Sequence, residues 1–169
     1  MAGQPILIAA FSGRAAAMAA RRAGFAPLVA DLFADEDTRA VAARVRRIEG
    51  DLTSGFVEEA LLAALCELAD QESAAPVGLV YGAGFEDRPD LLSGIAARWP
   101  LLGNPSEVVS AIKDPQCLAE MLGRLGIRHP EVSDVAVARP RWLLKRAGGA
   151  GGIHVDGPCS SAGLTNDGV

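Results

Sequence analysis

The chain has 169 residues, of which 50% are hydrophobic, 22% charged and 5% aromatic, with a formal net charge of -5. That length fits one domain, or one domain and part of another, and the apolar share can build a packed core, which excludes the disordered and fibrous classes. The acidic balance argues against nucleic acid, and no run approaches the roughly 18 apolar residues of a membrane helix, so neither nucleic acid nor membrane is an expected partner.

Pro5 to Phe11 is a nearly continuous apolar run, as in a buried parallel strand, and it ends in Ser12-Gly13 before a helical stretch from Arg14 to Ala23. Gly24 closes that helix. Ala26 to Phe33 reads as a second strand. Asp35-Glu36-Asp37-Thr38 then offers capping residues for a segment running through Arg39 to Ile48, so the chain opens with a strand-helix-strand unit.

From Thr53, the residues Phe56, Val57, Ala60, Leu61, Ala64, Leu65 and Leu68 recur at the helical period, with Glu58, Glu59 and Glu67 on the solvated face. Pro76 to Tyr81 is a third strand, followed by the loop Gly82 to Asp87 and a helix over Pro89 to Arg98. Pro100 to Gly103 supplies a fourth strand. Asn104-Pro105-Ser106-Glu107 combines a cap residue, a first-turn proline and a glutamate three after the cap, which signals a helix start. Asp114-Pro115 repeats that signal, so Lys113 falls at a break between two helices, the second ending near Leu125-Gly126.

After His129-Pro130 the character changes. Val132 to Val137 alternates weakly, Arg141 to Lys145 reads as a strand, and Gly148 to Gly152 is a glycine-rich turn before Ile153-His154-Val155. From Asp156 onward the apolar periodicity is lost, and little independent order is expected. The expected organisation is an open, mostly parallel Rossmann-like α/β sheet over residues 1–103, linking helices over 104–130, a small incomplete α+β subdomain over 131–155 and a tail over 156–169.

Cys66, Cys117 and Cys159 are odd in number and never paired as Cys-x-x-Cys, so they read as reduced thiols, Cys66 and Cys117 as small buried side chains. No basic residue precedes the first apolar run, so no secretory signal is read and a cytoplasmic location is expected. No histidine, cysteine and carboxylate spacing suggests a metal site.

Of the sixteen basic residues, fourteen are arginine; the two lysines are Lys113 and Lys145. Lys145 lies on a strand just before Gly148, Gly149, Gly151 and Gly152. Glycines let backbone N–H groups wrap a phosphate while a lysine adds a point charge, although a flexible hairpin turn would share this pattern. No Gly-Lys-Ser/Thr follows, so this is not a Walker loop. A dinucleotide fingerprint fails as well. Ser12-Gly13-Arg14 has one glycine where three are needed, although Asp31 ends the second strand. What remains there is a helix N-terminus suited to an anionic group or to ordinary capping. Glu86 and Asp87, beside Gly82 and Gly84, sit where open α/β sheets place ligands, and either substrate binding or helix capping fits them. His129 reads as a turn residue; His154 reads as either surface or phosphate-facing.

The order of an open α/β domain, Ala111-Ile112-Lys113-Asp114-Pro115 on a broken helix, Leu125 to Pro130, and Trp142 to Val155 resembles the start of an ATP-grasp protein. The resemblance runs from Pro5 to Val155. It implies a Rossmann-like domain that binds an acid or amine substrate, for which Ser12, Gly13, Arg14, Gly82, Gly84 and Glu86 at the strand ends are the candidate contacts to a small anionic substrate. It further implies ATP contacts from Lys113 and Lys145, with Gly148 to Gly152 as a mobile loop over the phosphates. The implied cofactors are ATP and Mg2+. The implied chemistry is carboxylate attack on the terminal phosphate, giving an acylphosphate that an amine or other nucleophile displaces. The family's adenine-gripping hinge and its acidic and Asn magnesium ligands lie later than residue 169, so this chain is expected to be a truncated ligase-like piece that binds ATP weakly and catalyses nothing alone. The rival reading is a non-catalytic α/β module for small-anion binding or assembly. Trp142, Leu143 and Leu144 on an open strand edge are expected to favour a homodimer.

Overall fold

A computed structural model describes residues 3–135, 142–146 and 155–158. The chain divides into two compact units, residues 1–107 and 108–169.

In the first unit, β1 (Pro5–Ala10), β2 (Ala26–Asp31), β3 (Arg44–Arg47) and β6 (Leu79–Tyr81) form one parallel sheet in the order β3-β2-β1-β6. The register sets Ile8 beside Val29 on one side and Val80 on the other, and Val29 beside Val45. Every residue of β1 and β2 is buried, which is why β1, and β2 as far as Ala30, read as unbroken apolar runs. Ile8 and Val29 pack on Ala17 of α1 (Arg14–Arg22). Leu7, Ala9, Leu28 and Ala30 alternate to the other face. From β1 the chain crosses outward through α1 to β2, and from β3 it returns through α3 (Glu58–Asp70) to β6. Right-handed crossovers in these opposite senses put α1 and α3 on opposite faces. Leu61, Ala64, Leu65 and Leu68 make the buried stripe of α3, and Leu91, Leu92 and Ile95 that of α4 (Pro89–Ala96). The expected open parallel α/β sheet is thus present.

Several boundaries differ from the sequence expectation. The segment through Arg39 to Ile48 is two elements, α2 (Glu36–Val41) and the edge strand β3. In β3 only Val45 is apolar, and an edge strand can carry arginines because they reach out to acids. Arg44 pairs with Glu72 at 2.7 Å and Arg46 with Glu67. The third helix begins at Glu58 rather than Thr53, because β4 (Gly50–Asp51) and β5 (Gly55–Phe56) form a small antiparallel hairpin first. Asp51 holds that turn by accepting from the N–H groups of Thr53 at 2.6 Å and Ser54 at 2.8 Å. Pro100 to Gly103 reaches the sheet only as a parallel bridge between Leu79 and Leu101. Gly24 closes α1 at φ +86° as expected.

The helix after Asn104-Pro105 is α5 (Ser106–Lys113), which starts later than the capping signal implies. In the second unit, α6 (Pro115–Arg124) does start where expected. Asp114 accepts from the N–H groups of Gln116 at 2.8 Å and Cys117 at 3.0 Å. The strands β7 (Leu143–Lys145) and β8 (Val155–Pro158) pair antiparallel, with Lys145 beside Val155. Among the described residues no helix is long and apolar enough to cross a membrane.

Candidate functional site

In a parallel sheet the carboxyl ends of the strands carry the loops that meet ligands, and the gap opens where successive connections leave in opposite directions. Here that point lies between β1 and β6. The loops beyond them are tied together by the Phe11 N–H, which donates to the Ala83 carbonyl at 2.8 Å. Ser12, Gly13 and Arg14 are thereby brought to the same end of the sheet as Gly82, Gly84 and Glu86.

Ser12 is exposed, and Gly13 is buried under it. A Cβ on Gly13 would stand 2.4 Å from Val29 Cγ1, so close packing of α1 on the sheet requires glycine. Its N–H donates to Asp31 Oδ2 at 2.9 Å, while Oδ1 of the same carboxylate accepts from Ala34 at 2.6 Å and Phe33 at 3.2 Å. Asp31 is fully buried. The acid at the end of the second strand therefore holds three backbone donors, which removes it from the ribose-binding role of a dinucleotide fold. Arg14 reaches Asp37 at 3.2 Å and Asp35 at 3.8 Å. Gly13 caps α1 without a side-chain bond, so the first-turn N–H groups of that helix point to this end of the sheet.

Across the gap, the Gly82 N–H donates to the Ala9 carbonyl at 2.9 Å and continues the ladder. Gly84 has φ +112°, and a Cβ there would lie 2.5 Å from the Phe56 ring and 2.7 Å from Phe11. Its N–H donates to Glu86 Oε2 at 2.7 Å, and Glu86 is half-buried. Beneath the loops is an aromatic cluster that the sequence reading missed. Phe11 and Phe56 have ring centroids 5.0 Å apart, Phe56 and Phe85 5.1 Å, and Tyr81 and Phe85 5.6 Å. Phe11 and Phe85 adjoin the two glycine loops in the sequence, which was the available signal; Phe56 arrives through the unforeseen hairpin. The Tyr81 hydroxyl donates to the Asn104 carbonyl, and burial raises its pKa above the ordinary phenol value. Arg88 locks the hairpin to α3 by donating to the Phe56 carbonyl at 3.2 Å and pairing with Glu58 at 3.0 Å.

In the second unit, Lys113 is the last residue of α5 and half-buried, and Lys145 is exposed on β7. Neither forms an ion pair among the described residues, and the Asp114 carboxylate next to Lys113 is turned to its own helix. Gly148, Gly149, Gly151, Gly152, His154 and Cys159 lie outside the described residues. Among those described, no group of three His, Cys, Asp or Glu could hold a metal ion. His129 bonds the Pro130 carbonyl at 2.9 Å, as a turn residue does. Cys66 and Cys117 are free thiols, half-buried rather than buried; Arg98 donates to Cys66 Sγ at 3.2 Å.

No family model matches the sequence, and no curated protein matches it. Solved structures do match. N5-carboxyaminoimidazole synthetase from Staphylococcus aureus aligns at a TM-score of 0.53 and 20% identity over 73% of this chain and 30% of that chain. The biotin carboxylase domain of a single-chain bacterial carboxylase aligns at 0.54 and 20% identity over 79% of this chain and 31% of that one. Both are ATP-grasp enzymes. The chain resembles ATP-grasp proteins in fold. It spans about 30% of the length of these ATP-grasp structures.

Proposed function

We propose that residues 1–169 form the amino-terminal portion of an ATP-grasp type ligase. The observation that carries this reading is the parallel sheet in the order β3-β2-β1-β6, with the fold it shares with two ATP-grasp enzymes. The placement of both lysines supports it further. The Staphylococcus aureus synthetase has also been solved with ADP.

In this reading Lys113 and Lys145 hold the phosphates, with the glycine run 148–152 closing over them. Bound ATP with Mg2+ would supply an activated terminal phosphate for a substrate carboxylate, and an amine or other nucleophile would follow. The described residues make no magnesium site, so no step is assigned to the metal. The role of this chain's own residues is to neutralise phosphate charge and to position the substrate. The first unit would take that substrate at the gap between β1 and β6. There the first-turn N–H groups of α1 and the Ser12 hydroxyl are the donors for an anionic group. The Gly13 and Gly84 N–H groups already serve Asp31 and Glu86, so a ligand must displace Glu86 to use Gly84. The 169 residues alone are proposed to bind nucleotide without turning it over, in the cytoplasm.

Thermal unfolding with and without millimolar ATP and magnesium tests this reading. A ligand at a hundred times its dissociation constant adds about 2.7 kcal/mol to the unit that binds it. A shift abolished by Lys113→Ala or Lys145→Ala supports the reading; no shift at any concentration removes it. The rival, an assembly module, is favoured by one observation: no described residue of the second unit is buried.

A further inference from the structure

Residues 49–57 have few ties to the rest of the first unit. The hairpin β4 and β5 pairs with no strand of the parallel sheet, and each of its strands has two residues, so its own ladder is too short to hold it folded in water. Residues 49–54 are all exposed, and Gly55 is half-buried. Asp51 orders the tip, but its bonds to Thr53 and Ser54 stay inside the turn. The roots are firm by contrast. Ile48 is buried and donates to the Asp31 carbonyl at 2.9 Å, and α3 begins at Glu58.

Two side chains fasten the hairpin between those roots. Phe56 is buried, with its ring against Phe11 at a centroid distance of 5.0 Å and against Phe85 at 5.1 Å. Arg88 donates to the Phe56 carbonyl at 3.2 Å and pairs with Glu58 at 3.0 Å. Both fastenings lead to the two loops that flank the gap between β1 and β6: Phe11 follows β1, while Phe85 and Arg88 follow β6. Gly84 belongs to the same contact. A Cβ there would stand 2.5 Å from the Phe56 ring, and its N–H is the one that donates to Glu86. The hairpin and the loop after β6 therefore hold each other in place.

We propose that residues 49–57 are a strap beside this gap, which opens as one unit with the loop 82–88 while the parallel sheet stays folded. Opening withdraws one phenyl ring, one hydrogen bond from a guanidinium and one partly exposed ion pair. It leaves the ladders of β1 with β2 and β6 untouched, so it requires less free energy than unfolding the unit. The rings of Phe11 and Phe85 are then uncovered and Gly84 is released from Phe56. The strap thereby governs entry to the gap, a role that rests on the substrate position proposed above. The motion itself belongs to the free chain and is measured without any ligand, so failure of the nucleotide reading leaves it standing.

Native-state hydrogen exchange of the 169-residue chain, read amide by amide by nuclear magnetic resonance, tests it. The Val57 N–H, which donates to the Glu49 carbonyl at 3.0 Å, reports on the hairpin, and the Gly84 N–H reports on the loop after β6. Both are expected to exchange with one common free energy of opening, at least about tenfold faster than the sheet amides of Ile8 and Val29. Arg88→Met keeps the aliphatic stem and removes both bonds, so it should speed Val57 and Gly84 together, by about fivefold or more. The proposal is overturned if either amide of the parent exchanges no faster than Ile8 and Val29. It is overturned equally if Arg88→Met speeds Val57 and leaves Gly84 unchanged, since the hairpin would then fray alone.

Discussion

The Gly13 N–H donates to the buried Asp31 carboxylate at 2.9 Å, across eighteen residues of sequence. This bond joins the loop after β1 to the end of β2, and the other carboxylate oxygen fixes the turn at Phe33 and Ala34. Ala34 sits at φ +45°, a conformation that costs a non-glycine residue energy and is held by these bonds. The acid at the end of β2 is therefore the residue that shapes this corner of the candidate site.

Replacing it should be costly. Asp31→Ala leaves the donors of Gly13, Ala34 and Phe33 without their acceptor, at about 1–3 kcal/mol for each buried group, so a loss of about 3 kcal/mol or more is expected. Asp31→Asn keeps one acceptor oxygen and should fall between the two. Urea unfolding of the three proteins measures this, and an alanine variant within about 1 kcal/mol of the parent would contradict the assignment.

How much of this was legible beforehand depends on where the information sits. The strands β1 and β2 and the helices α1 and α6 could be read because burial on both sides writes an unbroken apolar run, and because Gly24 and Asp114 mark ends locally. The strand β3 could not, since its arginines are satisfied by Glu67 and Glu72, more than twenty residues away. The same holds in the site. Gly13, Gly84 and Glu86 could be placed at strand ends from spacing alone. That Asp31 and Glu86 would accept from Gly13 and Gly84 depends on side-chain directions that no local pattern records.

Two glycine replacements should act in opposite directions. At Gly84, φ +112° and contact with the Phe56 and Phe11 rings make Gly84→Ala destabilising, by about 1–3 kcal/mol. Gly94, inside α4 and exposed, has nothing within 4 Å of a Cβ, so Gly94→Ala should stabilise by about 0.5–1 kcal/mol. Thermal unfolding of both variants checks the pair of signs.

Acid should loosen the start of α2. The N–H of Thr38 donates to Asp35 at 2.7 Å, and this bond holds the Asp35 carboxyl below its ordinary pKa. A depressed folded-state pKa gives stability that is present above the unfolded value and lost as pH falls through the folded one. The urea midpoint of the parent should therefore fall more steeply than that of Asp35→Asn as pH is lowered below the ordinary aspartate range. Parallel curves would show that the cap is not populated.

Under the proposed function Lys113 and Lys145 form part of an ATP site. Its most direct test is a calorimetric titration of the 169-residue chain with ATP and magnesium, repeated with Lys113→Ala and Lys145→Ala. Measurable binding to the parent is expected, with at least a tenfold weakening in each variant, about 1.4 kcal/mol or more. Binding unchanged by both substitutions, or none to the parent, would contradict it.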